Sequence, residues 1–157
     1  MQPRFESKPT FTVVGKTCHF TMKNNVIPRL WDEFGKYRGA IPHAIHKAAY
    51  GVCFYQSMED AKDDITFTYL AGFEVSKVDS LPGGMTARTL PACDYAIFEH
   101  KGSLDTLQET YTYIFSQWLP SSGYTVVKQD DFELYGDRFK YGEADSVMEI
   151  WIPVKKK

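Results

Sequence analysis

Leu81-Pro82-Gly83-Gly84 is the strongest break in this 157-residue chain, and it falls close to the middle. A proline followed by two glycines continues neither a helix nor a strand interior, so the elements on either side belong to separate runs. Before the break, Thr10 to Phe20 is rich in β-formers and reads as a strand. A helix is expected next. Asn24 or Asn25 caps it, Pro28 suits its first turn, and Ile27, Leu30, Trp31 and Phe34 recur at helical spacing before Gly35 and Gly39. Beyond the loop around Pro42, Tyr50 to Gln56 and Ile65 to Val75 read as strands, the second with Ile65, Phe67, Tyr69, Ala71 and Phe73 on one face.

After the break the same order returns. Thr86 to His100 holds a long strand bent at Pro91. Ser103 then caps the strongest helix of the chain, with Asp105 at its positive end and Leu104, Leu107, Tyr111, Ile114 and Trp118 as its apolar stripe. Pro120 and Gly123 stop it. Asp131 to Phe139 and Val147 to Val154 are the last strands. Strand, helix, strand, strand therefore occurs twice, without a residue-level repeat. The expected fold class is α+β. It is a single domain over residues 1–157, made of two pseudo-symmetric βαββ units at about 10–78 and 86–154 that share an antiparallel sheet. Helices would cover one face, leaving the seam between the halves and the other face free to hold a ligand.

The bulk numbers fit one domain with a filled core: 43% of residues are apolar. A net charge of -2 and a pI of about 6.1 give no electrostatic footprint for nucleic acid, and Lys155-Lys156-Lys157 reads as a solvated tail. No run approaches the roughly 20 apolar residues that span a bilayer, and the first residues carry no secretory pattern. Cys18, Cys53 and Cys93 are odd in number and lie in apolar runs, so buried thiols in a reducing cytoplasm are expected. Ten Tyr and eleven Phe bring aromatic content to 15%. Tyrosine hydroxyls want partners when buried, which points to a surface that is half polar and half apolar.

The last strand offers chemistry. Met148, Ile150 and Ile152 face one side and are expected to pack against a helix, while Glu149 and Trp151 face the other. Glu149 is either a solvated strand residue or a partly desolvated anion beside an indole, suited to a cation. Glu133 and Tyr135 alternate against Phe132 and Leu134 in the same way, so one surface carrying Glu133, Tyr135, Glu149 and Trp151 is expected. No metal site is expected: His43 and His46 are three apart but the cysteines are scattered. No phosphate loop or nucleophile elbow is present, Cys93 reads as a packed strand cysteine, and no cofactor is expected.

Several stretches together resemble a GyrI-like domain. They are Tyr69-Leu70-Ala71-Gly72-Phe73-Glu74-Val75, Leu90-Pro91-Ala92, Tyr95-Ala96-Ile97-Phe98-Glu99-His100-Lys101-Gly102 and Trp118-Leu119 with Ser122-Gly123-Tyr124. Asp131-Phe132-Glu133-Leu134-Tyr135 and Glu149-Ile150-Trp151-Ile152-Pro153-Val154 complete the set. Such domains also serve as effector-binding modules of AraC-type and MerR-type transcription activators. The resemblance implies two βαββ units with a ligand cleft between them, ligands that are lipophilic and often cationic, and a buried glutamate ringed by aromatics. It points to Glu149 and Glu133, with Glu149 preferred because Trp151 shares its face, and to Tyr69, Tyr95 and Tyr111 as aromatic candidates. No helix-turn-helix is attached, so direct DNA binding is not expected of a free-standing domain. Some family members are hydrolases that open cyclopropane-bearing DNA-alkylating natural products. In that alternative Glu149 would be the general base, with Tyr69 or Tyr111 orienting the substrate. Inhibition of a partner such as gyrase is a third class, for which no surface is identified.

Overall fold

The computed structural model describes residues 1–21, 24–55 and 66–157. Among them are nine strands: β1 (Arg4–Lys8), β2 (Phe11–Phe20), β3 (Ala44–Cys53), β4 (Phe67–Val75), β5 (Thr86–Leu90), β6 (Cys93–Lys101), β7 (Tyr124–Val126), β8 (Asp131–Tyr135) and β9 (Val147–Lys156). The main helices are α1 (Ile27–Gly35) and α2 (Leu107–Tyr113). A 3-10 turn (Leu104–Thr106) leads into α2, and a π-helical turn (Ile114–Trp118) and a short α-helical turn (Leu119–Ser121) extend it. Helix α1 starts close to where expected, with Pro28 in its first turn, but its N-cap residue is Val26, which has no capping side chain; Asn25, one residue earlier, accepts from the Ile27 N–H at 3.0 Å. Ser103 likewise accepts from the Asp105 N–H. Among the described residues no helix is long and apolar enough to cross a membrane.

The strands run in the order β1-β6-β9-β8-β3-β4-β2-β5, with β7 on the end of β9. The internal symmetry is visible in that order. From outside to middle the first half reads β2-β4-β3 and the second reads β6-β9-β8. The halves join where β3 and β8 pair antiparallel, from Ala49 opposite Tyr135 to Cys53 opposite Asp131. The architecture is therefore α+β, a pseudo-symmetric pair of βαββ units.

The strand expected from Tyr50 starts earlier, at Ala44, and Pro120 lies inside the last helical turn rather than ending it. Two further expectations change. Thr86 to His100 is not one bent strand: Pro91-Ala92 divides it into β5 and β6, which belong to opposite ends of the sheet order. Proline removes a ladder donor, and the curl of the sheet brings those ends together. Lys8 on β1 reaches Glu74 on β4 at 3.0 Å, and the Ala92 N–H donates to Thr10 Oγ1 at 3.1 Å. The sheet is a half-barrel. Secondly, β8 ends at Tyr135 rather than Phe139, because the chain turns at Gly136 and the Phe139 N–H donates back to the Gly136 carbonyl. Gln56 and Ile65, expected at the ends of two strands, lie outside the described residues.

Both faces of the sheet are buried. On one, α1 packs with Val14, Tyr69 and Phe73, and the helical segment after β6 packs with Phe98, Met148, Ile150 and Ile152. The opposite face closes around Phe132, which stacks on Trp151 at 5.1 Å and meets Phe11, Tyr50 and Tyr95 at 5.3–5.5 Å. Such ring pairs add about 0.5–1.5 kcal/mol each beyond the area they bury.

Candidate functional site at the seam

The two helices sit on the two halves, and each sends a side chain over the seam between them, Trp31 from α1 and Tyr111 from α2. Strand register carries one row of residues across the helix-bearing face: Phe98, Ile150, Glu133, Gly51 and Ala71. Glu133 is the polar member of an otherwise apolar row, and only 6% of it is exposed. Three phenols converge on it. Tyr69 of β4 donates to Oε1 at 2.9 Å, Tyr135 of β8 to the same oxygen at 2.8 Å, and Tyr111 of α2 to Oε2 at 2.6 Å. From α1, the Trp31 indole N–H donates to the Tyr69 hydroxyl at 3.2 Å, and its ring meets that of Tyr135 edge-on at 5.2 Å. Both halves thus supply a phenol to one carboxylate, α2 directly through Tyr111 and α1 through the Trp31 bond to Tyr69.

Gly51 makes the arrangement possible. A β-carbon there would lie 1.8 Å from the Tyr69 hydroxyl and 3.1 Å from Glu133 Oε1. The phenol crosses β3 through the space a side chain would fill.

Three O–H donors around one acceptor are the pattern an ionised carboxylate takes. Burial and, after it, the negative charge of Glu133 hold the Tyr69, Tyr111 and Tyr135 hydroxyls well above the ordinary phenol range, so they remain donors. Each charge-assisted bond is worth about 1.5–3 kcal/mol, which offsets much of the several kcal/mol that burying an ion costs. What the phenols do not supply is countercharge. Among the described residues every ion pair lies elsewhere.

Of the residues expected at a site, Glu133, Tyr69 and Tyr111 come together, and Glu149, Trp151 and Tyr95 do not join them. The expected common surface divides, because the register sets Phe132 opposite Trp151 and Leu134 opposite Glu149. Alternation assigns residues to two faces but does not match the faces of neighbouring strands, and with both faces buried, apolarity does not reveal the match. Tyr95 packs on Trp151 at 5.5 Å, in the core of the opposite face. Glu149 borders a cavity of about 530 Å³ there, with Tyr50 and Glu74. It is compensated by its own chain: Arg4 Nη2 lies 2.7 Å from Oε2, and the Trp151 indole N–H donates to Oε1 at 3.0 Å. Trp31 and Gly51 were missed. Trp31 reads in sequence as part of a core stripe, and the available signal for Gly51 was a glycine inside a strand, which often marks a close approach.

One row further along the same face, Asp131 lies opposite Cys53. Burial first, then the charge of Glu133, pushes the Asp131 carboxyl up to about 7, and burial first, then the charge of Asp131, holds the Cys53 thiol well above its usual range. A folded-state carboxyl raised above its unfolded value near 3.9 holds a proton the unfolded chain has released. Its contribution to stability is complete below pH 4, declines as pH rises, and is gone above about 7. Thermal melts of the wild type should accordingly fall between pH 5 and 8 by about 2 kcal/mol, or 4–8 °C, relative to those of Asp131→Asn. Parallel curves for the two proteins would remove Asp131 as the cause.

A half-barrel of paired βαββ units with a hydrogen-bonded anion between aromatic rings is the build of a small-molecule-binding domain. The chain belongs to the GyrI-like small molecule binding domain family, which matches residues 1–155. It is 32% identical over 98% of its length to the transcriptional regulator BrlR of Pseudomonas aeruginosa and spans 56% of that protein, about half its length. Among solved structures it is similar to SAV2435 bound to tetraphenylphosphonium, with a TM-score of 0.78 and 18% identity, covering 99% of this chain and 94% of that one. It is also similar to EcmrR in complex with DNA, with a TM-score of 0.74 and 21% identity, covering 99% of this chain and 58% of that one.

Proposed function

We propose that the domain binds lipophilic organic cations in the seam cleft, with Glu133 as the recognition carboxylate and Tyr69, Tyr111, Tyr135 and Trp31 as its aromatic surround. The observation that carries the reading is a buried carboxylate with three phenol donors and no cation paired to it among the described residues. Its hydrogen bonds are met and its charge is not, so the missing partner is a positive charge that asks for no strong hydrogen bond. Aromatic faces attract such a cation by about 2 kcal/mol or more when it is desolvated. The tetraphenylphosphonium bound to SAV2435 is a cation of this kind.

The hydrolase reading has less support. A general base needs a lone pair open to water. Glu133 is only 6% exposed and takes three phenol donors, and Glu149, though it keeps lone pairs beside its cavity, is matched in charge by Arg4.

Tetraphenylphosphonium and tetraphenylborate are matched in size and opposite in charge, and titration calorimetry with the pair tests the reading. The cation should bind at least tenfold more tightly, about 1.4 kcal/mol. Equal affinity, or a preference for the borate, would leave no role for a recognition carboxylate.

A further inference from the structure

The acidic row of β8 does not end at Glu133. Asp131 precedes it by two residues on β8, so it projects from the same face about 6–7 Å further along the strand. There it borders a cavity of about 270 Å³ whose walls include Phe20, Phe54, Phe67 and Phe115. Among the described residues, the surroundings of Asp131 hold acids and acceptors rather than cations. Cys53 faces it from β3, Glu133 and Asp130 flank it on its own segment, and Tyr111 and Tyr95 are the phenols that feel its charge. Arg88, the nearby cation, is committed to Asp130 through contacts of 2.7 and 3.0 Å. Gln129, which also borders the cavity, has a buried Oε1 without a partner.

We propose that the cleft is built for elongated aromatic dications, one positive group resting against Glu133 and its phenols and the second lying in the aromatic cavity beside Asp131. This inference rests on the reading of Glu133 as the recognition carboxylate and adds a second position to it. The physical argument is one of matched spacing. Two carboxyls in one poorly solvated cleft repel each other, and a single cation neutralises one of them. A second positive group at strand i to i+2 spacing relieves the other, while ring walls accept its flat apolar body. Since Asp131 takes up a proton near pH 7, the second position should be fully charged only above neutrality.

Methyl viologen and N-methyl-4-phenylpyridinium share one shape and differ by one permanent charge, and the viologen nitrogens are set about as far apart as alternate residues of a strand. Calorimetry at pH 8 should show the dication binding the wild type about tenfold or more tightly than the monocation. In Asp131→Asn that advantage should vanish, the dication losing much more affinity than the monocation. Lowering the pH to 5.5 should shrink the advantage in the wild type, a measurement that needs no variant. Glu133→Gln should weaken both ligands. Equal binding of the two ligands, no binding of the dication, or an advantage that survives Asp131→Asn would overturn the second position. Indifference of both ligands to Glu133→Gln would instead overturn the reading on which it rests.

Discussion

Glu133→Gln should lower the affinity for tetraphenylphosphonium by about a hundredfold, near 3 kcal/mol, with the fold intact. The amide matches the carboxylate in size and keeps one acceptor oxygen, so Tyr69 and Tyr135 retain their partner while the Tyr111 hydroxyl turns to accept from the new amino group. Weaker bonds are offset by removal of a buried charge that has no counterion, and the melting temperature should move by only a few degrees. Binding loses the whole electrostatic attraction. Glu149→Gln is the informative contrast. Its charge is already matched by Arg4, 44% of whose side chain is exposed, and it lies on the other face of the sheet. That variant should bind the cation within about twofold of wild type. Calorimetry on both proteins decides, and a loss confined to Glu149→Gln would reverse the choice of carboxylate.

Gly51→Ala should be the most damaging single-methyl change in the cleft. The new carbon would stand 1.8 Å from the Tyr69 hydroxyl and 2.6 Å from its ring carbon Cζ, and side chains do not interpenetrate. Tyr69 is almost fully buried and has no open space to enter, so the ring and β3 must both give. The phenol loses its bond to Glu133 and the Trp31 indole loses its acceptor. Overpacking and broken bonds together should cost about 3 kcal/mol, or 6–12 °C in Tm. Gly136→Ala is the control and should be close to neutral, because a β-carbon added there would meet nothing within 4 Å. Denaturant melts of the two variants compare them directly. A Gly51→Ala cost below about 1 kcal/mol would show that Tyr69 does not cross β3 as described.

The elements were legible because they rest on local signals. Pro28 and Asn25 set the start of α1, Ser103 set the turn before α2, and alternation placed Met148, Ile150 and Ile152 against the helices. The grouping of the candidate residues was half legible. Glu133, Tyr69 and Tyr111 were all candidates from sequence and do come together, yet the sequence favoured Glu149 over Glu133, the carboxylate proposed here, because an indole two residues away looked like a ligand platform. The Trp151 indole instead serves Glu149 directly and fills the opposite core. What decided the matter was the pairing of β8 with β9, a relation between strands that neither strand encodes alone. β1 was missed for a related reason. Arg4-Phe5-Glu6-Ser7-Lys8 has little apolar content and is a strand because β6 supplies its ladder.

The seam also governs when the cleft can exist. Trp31 meets Tyr69 across 38 residues of chain, Tyr69 meets Glu133 across 64, and β1 touches β6 across 87 at Ser7 and Asp94. Closing such long loops precedes any reward from the contacts they allow, so chains of this kind fold slowly for their size. The carboxylate and its phenols are assembled only when β3 pairs with β8, and pairings between such distant parts of the chain are expected to form late. A cation that needs all of them meets no binding surface in the partly folded chain. Its stabilisation should then appear as slower unfolding, with the rate of folding left nearly as it was.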